Sequence, residues 1–420
     1  MNILFLSTKS PYPLINGHSL RTYHILKGAA ERHRVTLVTF VQQPEHELKE
    51  ENIRHLRTFC HAVHLFRVPL DMSRTRLAAA LFLNLFSRQP FVARKYDSSA
   101  MREKIREIIR EEDIDLVHVD MLPLTAYLDE FSGLAKVLVN HNVESVRLFR
   151  WFQAESNWLK KLYLGIQWAK LRRYERAAVQ KFDGCVAVSE TDRSLLEERG
   201  ADGCFYVVPN GTDTEFFKPC GRPKIEHSVL WFGHMDVHTN RDAVLYFWRE
   251  IYPVLRRKCP DVHVRFVGTA PPREIAHAAD KDPRVTVTGF VEDIRPYVDE
   301  AHVVVVPIRI GSGTRLKILD AMAMGKAIVS TSVGCEGLAV TDGENILVAD
   351  DPEDFSRKVV MLLRDAELRR TLEGNALQLA KECAWQKMCS LQEKVYQEVA
   401  WPAPLKDSDA NSETEGIVRK

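Results

Sequence analysis

Val303-Val304-Val305-Val306-Pro307-Ile308-Arg309-Ile310-Gly311-Ser312-Gly313-Thr314-Arg315-Leu316-Lys317-Ile318-Leu319-Asp320-Ala321-Met322-Ala323-Met324-Gly325-Lys326 reads as a buried strand, a glycine-bearing loop and a helix beginning near Thr314. Four consecutive valines suit a strand buried on both faces, as in a parallel sheet. In open α/β sheets, ligands bind outside the carboxyl ends of such strands. A helix N-terminus placed there offers free N–H groups and the positive end of its dipole to a phosphate. Gly311 and Gly313 allow close backbone approach. Arg315 and Lys317 put two cations in the first turn, where they are unfavourable without an anion. Asp320, about two turns in, suits a ribose diol.

The same strand-then-helix rhythm runs outward in both directions. Apolar, β-branched runs occur at Ile3–Leu6, Val35–Phe40, Val63–Phe66, Leu116–Val119, Val137–Val139 and Cys185–Val188. A second series covers Phe205–Val208, Val229–Phe232, His263–Val267, Val285–Val287, Val303–Val306, Ala327–Ser330 and Ile346–Val348. Alternation of strands and helices is the α/β signature. A chain of 420 residues exceeds the roughly 250–300 residues at which one core stops growing, so two doubly wound domains are expected. The turn-rich Gly200-Ala201-Asp202-Gly203 sets the boundary: 1–203 and 204–384. A last helix near Trp385–Val399 occupies 385–403. The polar, acidic stretch 404–420 reads as a disordered tail.

Composition narrows the function. The 58 Lys and Arg against 57 Asp and Glu leave a net of +1, which excludes attachment to nucleic acid by bulk charge. Eight cysteines without a Cys-x-x-Cys pair argue against a zinc ribbon or redox motif. The longest apolar run, Leu77–Phe86, is about half of the roughly 18 residues that span a bilayer, and no leader pattern opens the chain. A cytoplasmic protein is expected. Residues 146–176 are read as one helix with eight basic residues against Glu155 and Glu175, interleaved with Trp151, Phe152, Trp158, Tyr163 and Trp168. Two readings stand: an anionic membrane surface contact, peripheral on the inner face, or a solvated basic face over packed aromatics.

Two more loops follow N-terminal strands. Ser10-Pro11-Tyr12-Pro13-Leu14-Ile15-Asn16-Gly17 leads into a helix, and Gly17 suits close backbone approach to a ligand. Asn140-His141-Asn142-Val143-Glu144 supplies His141, a group suited to hydrogen bonding or proton handling near neutrality. The glycine loop is neither a full Gly-x-Gly-x-x-Gly nor a Walker loop.

Taken in order, these segments resemble the retaining nucleotide-sugar glycosyltransferases of family four, which have the GT-B fold. The markers are the Pro11–Gly17 loop, Asn140–Glu144, Ala187–Asp192, Val208–Pro219, Gly289-Phe290-Val291 and Gly313–Lys326. The resemblance implies two facing Rossmann-like domains, an acceptor held by the first and a nucleotide-diphosphate sugar by the second. It places Gly17, Gly233, Gly289, Phe290, Gly313, Thr314, Arg315, Leu316, Lys317 and Asp320 around the donor, with His141 near the reacting centre and the last helix crossing back. It implies retention of configuration, a carbohydrate or lipid-linked acceptor, and no cofactor beyond the donor. Metal-independent transfer is also expected, because Asp113-Ile114-Asp115 leads into a strand and no Asp-x-Asp suits the cleft. Three departures stand out. Ser312 replaces the first acid of the family's Glu-x7-Glu, Asp320 shortens the second, and Gly233-His234…Thr239-Asn240 lacks the usual cations. Arg315 and Lys317 are expected to supply that charge. The alternatives are an inactive nucleotide-sugar-binding partner of such an enzyme, or a GT-B epimerase or phosphorylase.

Overall fold

The computed structural model describes residues 1–14, 16–69, 74–198, 203–311 and 313–401. The acidic tail, Ser312 and residues 200–202 of the expected break lie outside the described residues. Seven strands form the first sheet: β1 (Asn2–Ser7), β2 (Arg34–Val41), β3 (Ala62–Arg67), β4 (Leu116–Asp120), β5 (Ala135–Asn140), β6 (Gly184–Ala187) and β7 (Phe205–Val207). Their order is β3-β2-β1-β4-β5-β6-β7, and every pairing is parallel. The second sheet holds β8 (Ser228–Phe232), β9 (His263–Val267), β10 (Val285–Val287), β11 (Val303–Val306), β12 (Ala327–Ser330) and β13 (Leu347–Val348), in the order β10-β9-β8-β11-β12-β13. It too is parallel throughout.

The unbroken apolar runs have a direct cause. Successive side chains of a strand point to opposite faces. Ile3 and Phe5 enter one core cluster while Leu4 and Leu6 enter another. Val229, Trp231, Val303 and Val305 do the same against Leu230, Phe232, Val304 and Val306. Helices thus cover both faces of both sheets, and most positions of the central strands are apolar, whereas the edge strands β3, β7 and β10 are only partly buried.

Four expectations change. Phe205–Val207 does not open the second domain: it pairs with β6 as the edge of the first sheet, Cys185 opposite Phe205. The sheet-to-sheet boundary therefore falls after it, between Val207 and Ser228. Residues 146–176 are not one helix but two, Glu144–Ala154 and Trp158–Val179, with Asn157 capping the second through Lys160 N–H at 3.1 Å. The helix after the glycine loop is Leu316–Ala323, so it starts two residues late and Arg315 is its N-cap. Asp320 consequently lies little more than one turn in.

The last helix, Trp385–Ala400, does return to the first domain and packs on the helix Gly17–Ala30. Trp385 stacks on His24 with ring centroids 4.8 Å apart, and Tyr396 Oη lies 2.7 Å from His118 Nδ1. Among the described residues, no helix is long and apolar enough to cross a membrane.

Candidate active site

Each sheet reverses its winding at one place, β1/β4 in the first and β8/β11 in the second. Such switch points open a crevice at the strands' carboxyl ends. In the first sheet the crevice receives the loop before Gly17 and the end of β4. In the second it receives Gly233 after β8 and the glycine loop after β11.

The two crevices face each other. A Cβ placed on Gly17 would stand 3.3 Å from Leu316 Cδ1, so the first helix of one domain begins against the glycine-loop helix of the other. Asn16 caps the first of these helices, exchanging bonds with Ser19. Gly313, at φ +81°, presents a position that a Cβ would fill 2.7 Å from Asn142 Oδ1. Both the φ and the contact require glycine there. Asn142 stands next to His141, so the His141 loop and the glycine loop meet.

Arg150 bridges the domains. Its guanidinium makes paired bonds of 2.7 and 3.0 Å to Glu336 and lies 3.4 Å from Gly311 O. Partly exposed ion pairs contribute at most about 1 kcal/mol. The bridge holds the cleft in its closed arrangement, so Arg150→Ala is expected to shift the domains towards an open arrangement about two- to fivefold, read as a larger radius of gyration in small-angle scattering.

The cations take specific places. Lys317 Nζ donates to Phe232 O at 2.8 Å and Asn240 Oδ1 at 3.2 Å, and lies 4.5 Å from the Trp231 ring centroid. A Cβ on Gly233 would come within 2.8 Å of that ammonium. Lys317 thus brings its positive charge beside Gly233 and Asn240, in a segment that carries no Lys or Arg of its own. Burial, then Arg315, lowers the Lys317 ammonium to about 7, with Asp320 opposing. Arg315 folds back on the loop, donating to Gly313 O at 2.6 Å, and burial lowers it as well.

Asp320 accepts from Thr212 Oγ1 at 2.8 Å. Burial raises its carboxyl to about 7; the Thr212 bond and Lys317 oppose, and Asp213 adds to the rise. Among the described residues only one of its carboxylate oxygens is hydrogen-bonded, which leaves the other able to accept from a ligand hydroxyl. Gly289 joins the rim through Gly268, whose N–H donates to Gly289 O at 3.1 Å. Gly268, at φ +141°, passes so close to Gly233 O that a Cβ would stand 1.9 Å away. Phe290 stays 73% exposed, and Thr314 is half-buried beside Arg315. Asp113 and Asp115 bond Asn2 at the amino ends of β1 and β4, opposite the crevice.

One cluster escaped the sequence reading. His141 Nε2 lies 2.7 Å from Asp120 Oδ1, Thr22 Oγ1 donates to Asp120 Oδ2 at 2.7 Å, and His18 Nε2 stands 3.7 Å from Oδ2. Burial pushes the Asp120 carboxyl up, but His141, His118 and His18 more than offset it, and it sits well below the usual carboxylate range. Burial, then His141, brings His18 down to about 4. An ionised carboxylate only accepts, so the proton of this bond resides on His141 Nε2 and Nδ1 is the ring's other polar atom. The signal was present: Asp120 is an acid closing an apolar strand at the carboxyl end.

Comparison with known proteins agrees with this geometry. Residues 15–216 match the family described as Glycosyltransferase Family 4, and residues 226–365 match Glycosyl transferases group 1. An uncharacterized 44.6 kDa protein in the cps region of Klebsiella pneumoniae is 21% identical over 393 residues, 90% of this chain and 95% of that one. The phosphatidyl-myo-inositol mannosyltransferase of Mycobacterium tuberculosis is 24% identical over 323 residues, 74% of this chain and 80% of its own. Among solved structures, sucrose-phosphate synthase from Thermosynechococcus elongatus superposes with a TM-score of 0.68 at 18% identity, covering 95% of this chain and 98% of that one. Anabaena HepE in complex with UDP gives 0.64 at 16%, covering 95% and 100%. With two facing parallel sheets, a shared crevice and both family matches in register with the two domains, the chain is a glycosyltransferase of the GT-B fold.

Proposed function

We propose that the protein transfers a sugar from a nucleotide-diphosphate donor to an acceptor hydroxyl with retention of configuration, in the synthesis of a surface polysaccharide or glycolipid. The observation that carries this reading is the ammonium of Lys317 held over Gly233, beside a glycine loop that opens a helix. That arrangement suits a diphosphate: backbone N–H groups, a helix N-terminus and a cation converge where charge builds on the leaving group. Asp320 and Thr212 suit the ribose. His141, oriented by Asp120, suits the donor or acceptor sugar. In the family's front-face chemistry the departing phosphate helps deprotonate the acceptor, so His141 serves to orient donor or acceptor and is not an obligatory base. Positive charge from Lys317, Arg315 and the helix makes a metal dispensable for the leaving group. Similarity to a phosphatidyl-myo-inositol mannosyltransferase supports a lipid-linked acceptor.

A panel of UDP-, GDP- and ADP-sugars tests the reading by thermal shift and donor hydrolysis, and proton NMR of the product reports the anomer. Turnover surviving EDTA supports metal independence. Binding without hydrolysis or transfer would leave only the inactive partner.

The two groups near pH 7 give a further expected result. Lys317 is protonated below about 7 and neutral above it; a bound diphosphate raises its pKa. Binding at pH 8 therefore takes up protons, and affinity falls as pH rises. Asp320 is protonated below about 7, and ribose hydroxyls favour its carboxylate, so binding at pH 6 releases protons. Donor affinity should peak near pH 7. Calorimetry in buffers of different ionisation enthalpy reads the sign directly; no proton exchange at either pH would refute the assignment.

A further inference from the structure

We propose that the cavity between the first domain's helical hairpin and the cleft holds the hydrocarbon chain of a lipid-anchored acceptor. This deepens the reading above and rests on it.

The cavity measures about 1810 Å³, well beyond the roughly 300–1,000 Å³ of ordinary small-ligand sites. At one end it reaches the catalytic cleft, where Asn142, Thr239 and Gly311 line it. Away from the cleft the lining is mainly apolar, with Leu81, Leu148, Leu159, Tyr163 and Leu164, and charged groups such as Glu155 and Lys160 stand among them. A nucleotide sugar offers nothing apolar to cover that lining. An alkyl or prenyl chain does, and it leaves its polar head at the cleft end, where an acceptor hydroxyl has to be.

The outer mouth carries a second observation. Trp151 and Leu159 line the cavity yet are 61% and 58% exposed. On the helix Trp158–Val179, residues 159, 163 and 167 form the row facing the cavity, and Trp158, Leu162 and Ile166 form a neighbouring row open to solvent. Phe82, Leu83 and Phe86 continue this exposed apolar surface. The two segments are tied together: Lys170 Nζ donates to Asn84 O at 2.7 Å and Leu85 O at 3.0 Å, and Gln167 bonds Asn84 at 2.8 Å. Scattered exposed apolar residues need no explanation, but a contiguous patch marks an interaction surface. Lys160 and Lys161 interrupt the rows with positive charge, the pattern of an interfacial helix on anionic lipid. A patch that meets lipid and a cavity that leads from it to the cleft form one continuous route for a lipid chain.

The test uses the full chain and alkyl phosphates of four to twelve carbons, kept below micelle formation and followed by tryptophan fluorescence. Affinity is expected to rise about fourfold per methylene over part of the series, the equivalent of ~0.8 kcal/mol. Leu81→Glu and Leu159→Glu should each weaken dodecyl phosphate at least tenfold while sparing butyl phosphate; unchanged melting and nucleotide binding show that the variants fold. Affinity independent of chain length, or undiminished in both variants, would overturn the proposal. Binding to phosphatidylglycerol vesicles without any chain-length series would assign the patch to the membrane surface alone and also overturn the cavity. If no nucleotide sugar is bound or hydrolysed, the donor reading fails on its own, and the alkyl series still decides what the cavity holds.

Discussion

Replacing Lys317 by Met and Arg315 by Ala together should weaken donor binding by about 3–6 kcal/mol, a factor of roughly 10²–10⁴, because hydrogen bonds to charged groups contribute about 1.5–3 kcal/mol each. A large effect is expected because the segment from Gly233 to Asn240 brings no Lys or Arg, which on the proposed reading leaves Lys317 and Arg315 as the nearby cations for a diphosphate. Lys317→Arg should rescue little. The ammonium already lies 2.8 Å from where a Gly233 Cβ would be, and a guanidinium is larger and planar. Met keeps the stem's packing on Trp231, so a modest melting shift alongside a large affinity loss separates binding from folding. Donor affinity that survives the double replacement, measured by calorimetry, would remove these residues from the diphosphate site.

His141→Ala should lower kcat by about 10²–10³, within the range of a positioned acid–base or orienting group, with donor KM little changed. Asp120→Asn should cost a comparable factor. The amide keeps the shape but loses the charge that holds the proton on His141 Nε2, and it still fits beside Thr22. The two residues work as one unit, so the double variant should lose scarcely more than the worse single one. Losses that multiply would show that Asp120 acts only on the fold. Full turnover by His141→Ala with its true substrates would end the assignment. Raising the pH should not restore Asp120→Asn, because a carboxamide has no proton to lose and cannot regain the charge.

The thirteen strands were legible because both faces of each sheet are buried, and an apolar β-branched run has nowhere else to go. The helix boundaries were less so. Ser156-Asn157 is a capping signal in the middle of a basic, aromatic stretch, and the composition of that stretch masked the break that Asn157 makes. The end of the first sheet was misplaced for a different reason. Phe205–Val207 is apolar enough for either sheet, and a local run carries no information on which edge it joins. Asp120 closes an apolar strand, but its partners were not legible: Thr22, His18 and His141 come around it only once β1, β4 and β5 stand side by side.

The class of fold, the strands, the glycine loops at their ends and the family resemblance could all be read from the chain, since each rests on local pattern and spacing. That Lys317 reaches Gly233, that Gly17 meets Leu316, that Asp120 bonds His141 and that a largely apolar cavity opens beside the cleft emerges from the packing of the folded chain. The reason is physical. Local pattern records which side chains must leave water. Which of them meet across a cleft is set by how two sheets and their helices pack, and that depends on every element at once.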